Sequence, residues 1–282
     1  MTVPNIVYLG TYLGLTTFAG SLQFYINSCF GNGAERISRN PQKIYMKIDR
    51  NQTQYFGRDL EAMFFANNYH LWILEEFRPF LGKRLLEVGA GTGDFSELLL
   101  QTQPESLTVV EPSKNMFPLL EDNLKHHPHT ERLNAFFGDI YQSLSTQPDT
   151  ILYVNVLEHI SDDKSELTYV YQALPVGGHV CIFVPALQWL YGTADANFGH
   201  VKRYYKKPLE AIVESVGFEI VKSSYFDIAG IIPWWILFCL FKSKSIKANQ
   251  VSVYDKVVVP IMQRIKIPLP IGKNILLVGK RF

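Results

Sequence analysis

Apolar positions along this chain fall into two rhythms. Short, nearly unbroken runs recur at Leu85-Leu86-Glu87-Val88, Leu107-Thr108-Val109-Val110, Ala135-Phe136-Phe137, Ile151-Leu152-Tyr153-Val154, Val180-Cys181-Ile182-Phe183-Val184, Phe218-Glu219-Ile220-Val221 and Ile275-Leu276-Leu277-Val278. Bounded by turn residues, such runs predict buried strands. Between them lie segments whose apolar residues come three and four apart, the spacing of one helix face. The alternation predicts a mostly parallel sheet with helices on both sides, an α/β sandwich of three layers.

Start and stop signals place the boundaries. A helix is predicted over 59–78, stopped by Pro79, with Gly82 turning into the first strand. The next helix, 94–100, opens directly from a glycine-dense turn. Pro118 is tolerable only in a first helical turn, which favours Asn115 as the cap of the helix after the second strand. Asp162 and Asp163 lie at the positive end of a helix over 161–174. Pro175-Val176-Gly177-Gly178 reverses the chain into a strand over 179–184 that Pro185 stops. Pro208 opens a helix with Leu209, Ile212, Val213 and Val216 on one face, and Gly217 closes it.

Two apolar stretches stand outside the alternation. Residues 1–34 carry no charged side chain; the first is Glu35. This extension is long enough for a bilayer on the rule of ~20 apolar residues. It is diluted by glycine, threonine and asparagine and lacks a basic leader. A buried or partner-covered extension, a cap over a site and a membrane span all fit it. The second stretch, 228–241, is too short to span and is broken by Pro233. Its Trp234-Trp235 pair, followed by Lys242 and Lys244, suits an interfacial helix, the lid of an apolar pocket or an inserted core helix. The expected organisation is an extension over 1–34 and one domain over 35–282, with cap or insertion segments near 186–206 and 225–272.

Charge adds little: 27 basic against 26 acidic side chains leave no electrostatic case for a nucleic-acid partner. Lys202-Arg203 and Lys206-Lys207 form only a short basic cluster. Cys29, Cys181 and Cys239 are far apart and suggest neither a disulfide framework nor a metal site. His126, His127 and His129 resemble a metal tract only loosely, so no metal is expected. The cysteine usage fits a reducing compartment, hence a cytoplasmic protein, with peripheral membrane contact through 1–34 or Trp234-Trp235 left open.

The chemistry concentrates after the first strand. Gly89, Gly91 and Gly93 fall as G-x-G-x-G, with Glu87 before them and Asp94 after. The dinucleotide fingerprint is G-x-G-x-x-G, with its helix aimed at a pyrophosphate. Here the acids would repel a pyrophosphate and suit a cationic ligand. A second acid, Glu111, ends the second strand about twenty residues on, where a ribose-binding carboxylate is expected. The third run ends in Gly138-Asp139-Ile140, and the fourth in Asn155-Val156-Leu157-Glu158-His159-Ile160.

E-V-G-A-G-T-G, V-V-E-P, G-D-I and N-V-L-E-H-I occur in that order, and over residues 81–217 the chain resembles a class I S-adenosylmethionine-dependent methyltransferase. The resemblance implies a Rossmann-like, seven-stranded sheet whose last strand is antiparallel and slots between strands five and six. It also implies site roles. The turn Gly89, Ala90, Gly91 and Gly93 would hold the methionine end of S-adenosylmethionine, with Glu87 near its amino group. Glu111 would take the ribose hydroxyls. Pro112, Met116 and Ile140 would pack the adenine, and Asp139 would accept from its amine. Asn155 and Leu157 would line the methionine side.

The acceptor side is argued from position. His159 follows strand four at the sheet's carboxyl edge, as a base or as a loop-orienting residue. The run F-V-P-A, W-L-Y-G, G-H-x-x-R-Y, ending at Tyr204, resembles a bacterial small-molecule subgroup in which this segment sits over the substrate. His200 and Arg203 lie three apart, so a helical turn would put them on one face, His200 as a base and Arg203 as an anion holder. An Arg–carboxylate scaffold contact with Tyr204 packed beneath is the alternative. Tyr55, Tyr69 and Trp72 are candidates for a lid or for the core. The expected activity is methyl transfer to a small, hydrophobic or amphipathic acceptor, with O-methylation favoured. A nicotinamide-dependent oxidoreductase and a non-catalytic partner with the same fold are the rival readings.

Overall fold

The computed structural model describes residues 66–243, 248–264 and 269–282. The 1–34 extension, the first residues of the predicted 59–78 helix and Tyr55 lie outside them. Seven strands form one sheet in the order β3-β2-β1-β4-β5-β7-β6. They are β1 Arg84–Val88, β2 Ser106–Val110, β3 Thr130–Leu133, β4 Thr150–Val154, β5 His179–Pro185, β6 Phe218–Phe226 and β7 Asn274–Arg281. The pairs β1–β2, β1–β4, β2–β3 and β4–β5 are parallel. β7 is antiparallel to both β5 and β6, between which it lies, as the resemblance implies.

Successive side chains of a strand point to opposite faces, and β1 shows this directly. Leu85 packs into a core with Phe77, Leu99, Leu107 and Leu152. Leu86 and Val88 pack into the opposite core with Ile151, Tyr153, Leu167 and Val213. The first layer carries α1 (Asn67–Phe77), α2 (Asp94–Leu100) and α3 (Phe117–Asn123). The second carries α4 (Asp163–Ala173) and, beyond the short α5 (Thr193–Phe198), α6 (Lys206–Val216). Asp162 caps α4 by accepting from the Ser165 N–H at 3.1 Å. Cys181 is fully buried, and burial pushes its thiol far above the ordinary value, so it is inert packing.

Four expectations are corrected. The third strand is Thr130–Leu133, paired in parallel with β2, and not 135–137. It is an edge strand of Thr, Glu, Arg and Leu, too polar to read as a buried run. The predicted run instead enters one helical turn, Phe137–Ile140, on which Phe137 alone is buried. The helix after β2 starts at Phe117, with Met116 as its cap and Pro118 in its first turn. α6 starts at Lys206, two residues before Pro208, which still falls in the first turn. Pro233 does not break the 228–241 stretch: it sits in the first turn of Ile231–Trp234, where a missing N–H costs nothing, and the helix widens into a π-helical stretch, Trp235–Leu240. A second helical piece of the insertion runs from Ala248–Val253 through Tyr254–Val258 to Val259–Gln263.

Tyr69 and Trp72 belong to the core. Tyr69 donates its hydroxyl to Asp227 and Asn274, both at 3.1 Å, and meets Phe183 and Phe226 edge-on. Among the described residues no helix is long and apolar enough to cross a membrane.

Candidate active site

β1 and β2 end side by side, so their terminal acids arrive at one glycine turn. The turn is stitched to β2 by the N–H groups of Gly89 and Ala90, which donate to the Val110 carbonyl at 2.7 and 3.2 Å. Gly89, Gly91 and Gly93 have φ of 71°, 58° and 93°, the left-handed region that glycine enters freely. Their surroundings differ. A Cβ at Gly89 would lie 2.5 Å from Val156, and one at Gly93 2.8 Å from Leu120. A Cβ at Gly91 would meet nothing within 4 Å. Gly89 and Gly93 are therefore glycines for packing, while Gly91 faces open space and leaves a ligand room.

Two buried carboxylates flank that space. Glu111, 4% exposed, accepts from the N–H groups of Gly91 and Ser113, both at 2.8 Å, and the Asn134 side chain ties down its carbonyl. Burial raises its pKa against those donors. Glu87, 3% exposed, accepts from the Ser96 hydroxyl one helical turn into α2. Burial pushes Glu87 up to about 8; Ser96 opposes the shift, and the negative charges of Asp94 and Glu111 add to it. Two acids that feel each other across a glycine turn suit a ligand with an ammonium and a vicinal diol, and disfavour a pyrophosphate. Around them, Met116 is buried, Pro112 and Ile140 are half-buried, and Asp139 is exposed on the helical turn after β3.

The other half of the site grows from β4. Asn155, at φ 55°, turns the chain out of the sheet with its N–H on the Phe183 carbonyl. A short 3-10 turn, Leu157–His159, follows, with Leu157 and Glu158 fully buried. The segment after β5 folds over this turn: Val201 N–H donates to the Glu158 carbonyl at 2.9 Å, and the Tyr204 hydroxyl donates to the Leu157 carbonyl at 3.0 Å. The rings of His159 and His200 meet edge to face, 4.8 Å between centroids. Burial, helped by the neighbouring His200, lowers His159 to about 4, against a backbone hydrogen bond at Gly199. Glu158 is pushed up to about 7 by burial, against the pull of His200 and Arg203.

His200 and Arg203 do come together, though not through a helix. Residues 200–203 are irregular, and Tyr204 makes an isolated parallel bridge with Ala186. Both side chains converge on Asp195, a residue that sequence reasoning missed. Its Oδ1 lies 2.8 Å from His200 Nδ1 and accepts from Arg203 Nε at 2.8 Å, while Oδ2 accepts from the Gly192 N–H at 2.9 Å. Burial raises Asp195, but His200, Arg203 and Gly192 outweigh it and hold it below the ordinary carboxylate range. Arg203 also donates to the Ala186 carbonyl and lies over the Trp234 ring, with its side chain 1% exposed. It is a scaffold cation here, buried and paired with Asp195 rather than turned toward solvent. Tyr204 is likewise buried between the Leu157 carbonyl and Asp163. The spacing Gly192-x-x-Asp195, with an acid three residues into a helix, is the signal that could have found Asp195.

A family model described as a methyltransferase domain matches residues 61–223, more than half of the chain. Demethylmenaquinone methyltransferase of Bacteroides fragilis is 27% identical over 157 residues, covering 54% of this chain and 61% of that protein. Bacteriochlorophyllide d C-20 methyltransferase of Chlorobaculum tepidum is 22% identical over 134 residues, covering 47% and 39%. The chain thus spans between 39% and 61% of the length of these curated relatives. Among solved structures, a SAM-dependent methyltransferase from Archaeoglobus fulgidus superimposes with a TM-score of 0.53 at 18% identity, covering 79% of this chain and 98% of that one. At that identity the likeness is one of fold.

Proposed function

The chain belongs to the methyltransferase-domain family, and from that premise we propose that it binds S-adenosylmethionine at the glycine turn and directs methyl transfer to a small, hydrophobic or amphipathic acceptor. The observation that carries the reading is the pair Glu111 and Gly91: a buried carboxylate fixed on a backbone N–H beside the one glycine of the turn that faces free space. When bound, the cofactor supplies a methyl group on a positively charged sulfur. The protein's work is then alignment and exclusion of water.

Glu111 accepts from the ribose hydroxyls and Glu87 pairs with the amino group, which draws Glu87 into its charged form. Pro112, Met116 and Ile140 provide apolar surface for the base, with Asp139 beside its amine. Asn155 and Leu157 close the methionine side. Arg203 and Tyr204 act as positioning groups that hold the 186–205 segment over the turn after β4. We favour O-methylation. With Nδ1 on Asp195, His200 turns Nε2 toward Glu158 at the end of β4, beside the place where an acceptor hydroxyl would lie.

The acceptor's apolar character is read from the insertion. Ile232, Trp235, Leu240 and Phe241 on its first helical piece are exposed, as are Val253, Val257 and Ile261 on its second. Such surface suits an acceptor held in or near a lipid phase and a peripheral contact with the bilayer. Calorimetry with S-adenosylhomocysteine tests the cofactor reading: folded protein that takes up none defeats it. Flotation with neutral and anionic liposomes tests the contact, and absence from the lipid fraction in both removes it.

A further inference from the structure

Glu158 is the least provided-for buried acid among the described residues. It is fully buried, and neither carboxylate oxygen has a hydrogen-bond partner. It is closed to bulk solvent, and the guanidinium of Arg203 beside it is already paired with Asp195. A buried carboxylate in that condition is costly: it either holds a proton or takes a counter-charge.

The two groups that face it are the nitrogens of His159 and His200. One donor atom from each of Glu158, His159 and His200 lies within 4.8 Å of the others, the one such grouping among the described residues. His200 Nε2 is 3.7 Å from Glu158 Oε1. Ligands about 2.0–2.2 Å from a tetrahedral zinc ion sit ~3.4 Å apart, so this pair is close to coordinating separation and the third needs only side-chain rotation.

The surroundings fit the same purpose. A metal-bound histidine almost always has its other ring nitrogen held by an acceptor. Asp195 holds His200 Nδ1 at 2.8 Å and is itself braced by Arg203 and Gly192. The backbone at Gly199 holds the His159 ring. Both imidazoles are thereby held from behind, and His200 turns its free Nε2 toward the Glu158 carboxylate.

We infer that Glu158, His159 and His200 form a binding site for a divalent transition-metal ion, with open coordination positions beside the end of β4. Two imidazoles and one carboxylate are the donor set of zinc, cobalt and ferrous sites; magnesium and calcium prefer all-oxygen cages. The ion would neutralise Glu158 and offer its open positions to an oxygen of the acceptor, making that hydroxyl more acidic. The second role rests on the methyl-transfer reading; the existence of the site does not.

The test is titration of chelator-treated full-length protein with Co2+, following ligand-field absorption, with S-adenosylhomocysteine calorimetry on the same samples. One equivalent should bind with micromolar affinity or better and be displaced by Zn2+. His159→Gln and Glu158→Gln should each weaken binding at least tenfold while affinity for the cofactor product stays within about twofold. Wild-type protein that binds S-adenosylhomocysteine but no Co2+ overturns the site. Co2+ binding that survives in both variants also overturns it. Co2+ binding without S-adenosylhomocysteine binding upholds the site and instead removes the cofactor reading.

Discussion

The tips of β1 and β2 and the tip of β4 each bury acids, but they provide for them differently. At the glycine turn, Glu111 has two backbone N–H donors and Glu87 has the Ser96 hydroxyl. Beyond β4, Asp195 is saturated by a guanidinium, an imidazole and a backbone N–H, whereas Glu158 beside it has no hydrogen-bond donor from any other residue. The glycine-turn end, where we propose the cofactor binds, is thus preorganised by its own backbone. The other end divides its labour: one acid builds the frame, and the second is left for something from outside.

The widest gap should appear on cutting the frame. Asp195→Ala strands Arg203 in the interior and frees His200, and loss of one partner of a buried pair costs about 3–5 kcal/mol. Thermal unfolding should show a Tm lower by roughly 10 °C. A shift of a degree or two would mean the segment after β5 is held by something else. Glu111→Ala comes next. It removes charge-assisted hydrogen bonds, each worth about 1.5–3 kcal/mol, so S-adenosylhomocysteine affinity should fall about a hundredfold by calorimetry. Unchanged affinity would cancel the ribose assignment.

Glu87 sharpens the comparison through pH. Its folded pKa of about 8 lies above the ordinary 4.5, so the folded protein holds the proton more tightly than the unfolded chain does. Its stabilising contribution is complete below the unfolded value and is lost as pH rises through about 8. The ligand-free protein should weaken over that window by at most about 5 kcal/mol. Glu87→Gln should flatten the profile in denaturant titrations while weakening the cofactor product; a wild-type profile that is already flat contradicts the burial of this acid. The smallest effect belongs to the insertion. Phe241→Ser, at a position 72% exposed, should change stability by less than about 0.5 kcal/mol yet reduce liposome flotation. Equal flotation of both proteins removes this side chain from any lipid contact.

What could be read in the sequence divides along the same line. The glycine turn, Glu87 and Glu111 are local features: a buried run, a bend and an acid at a fixed spacing, all visible in one dimension. Asp195 acts through contacts to residues five and eight positions away across an irregular segment, and no periodicity marks it. Glu158 stood within a quoted motif, but its isolation is a property of the space around it. β3 was missed for a related reason: as an edge strand with a polar face it lacks the apolar density that betrayed its neighbours. The π-helical stretches of the insertion likewise follow from packing rather than from pattern, and Pro233 read as a break because its position within a first turn could not be seen.

β7 carries a demand of a different kind. It fills the slot between β5 and β6, so residues near position 280 bind together a sheet begun at position 84. During synthesis β5 and β6 emerge before the strand that pairs with both of their facing edges. A ribosome paused before Asn274 would display two unpaired apolar edges, the usual template for aggregation. Closure of the sheet therefore waits on residues 274–281, and truncation before Asn274 should yield insoluble product rather than a shortened working protein.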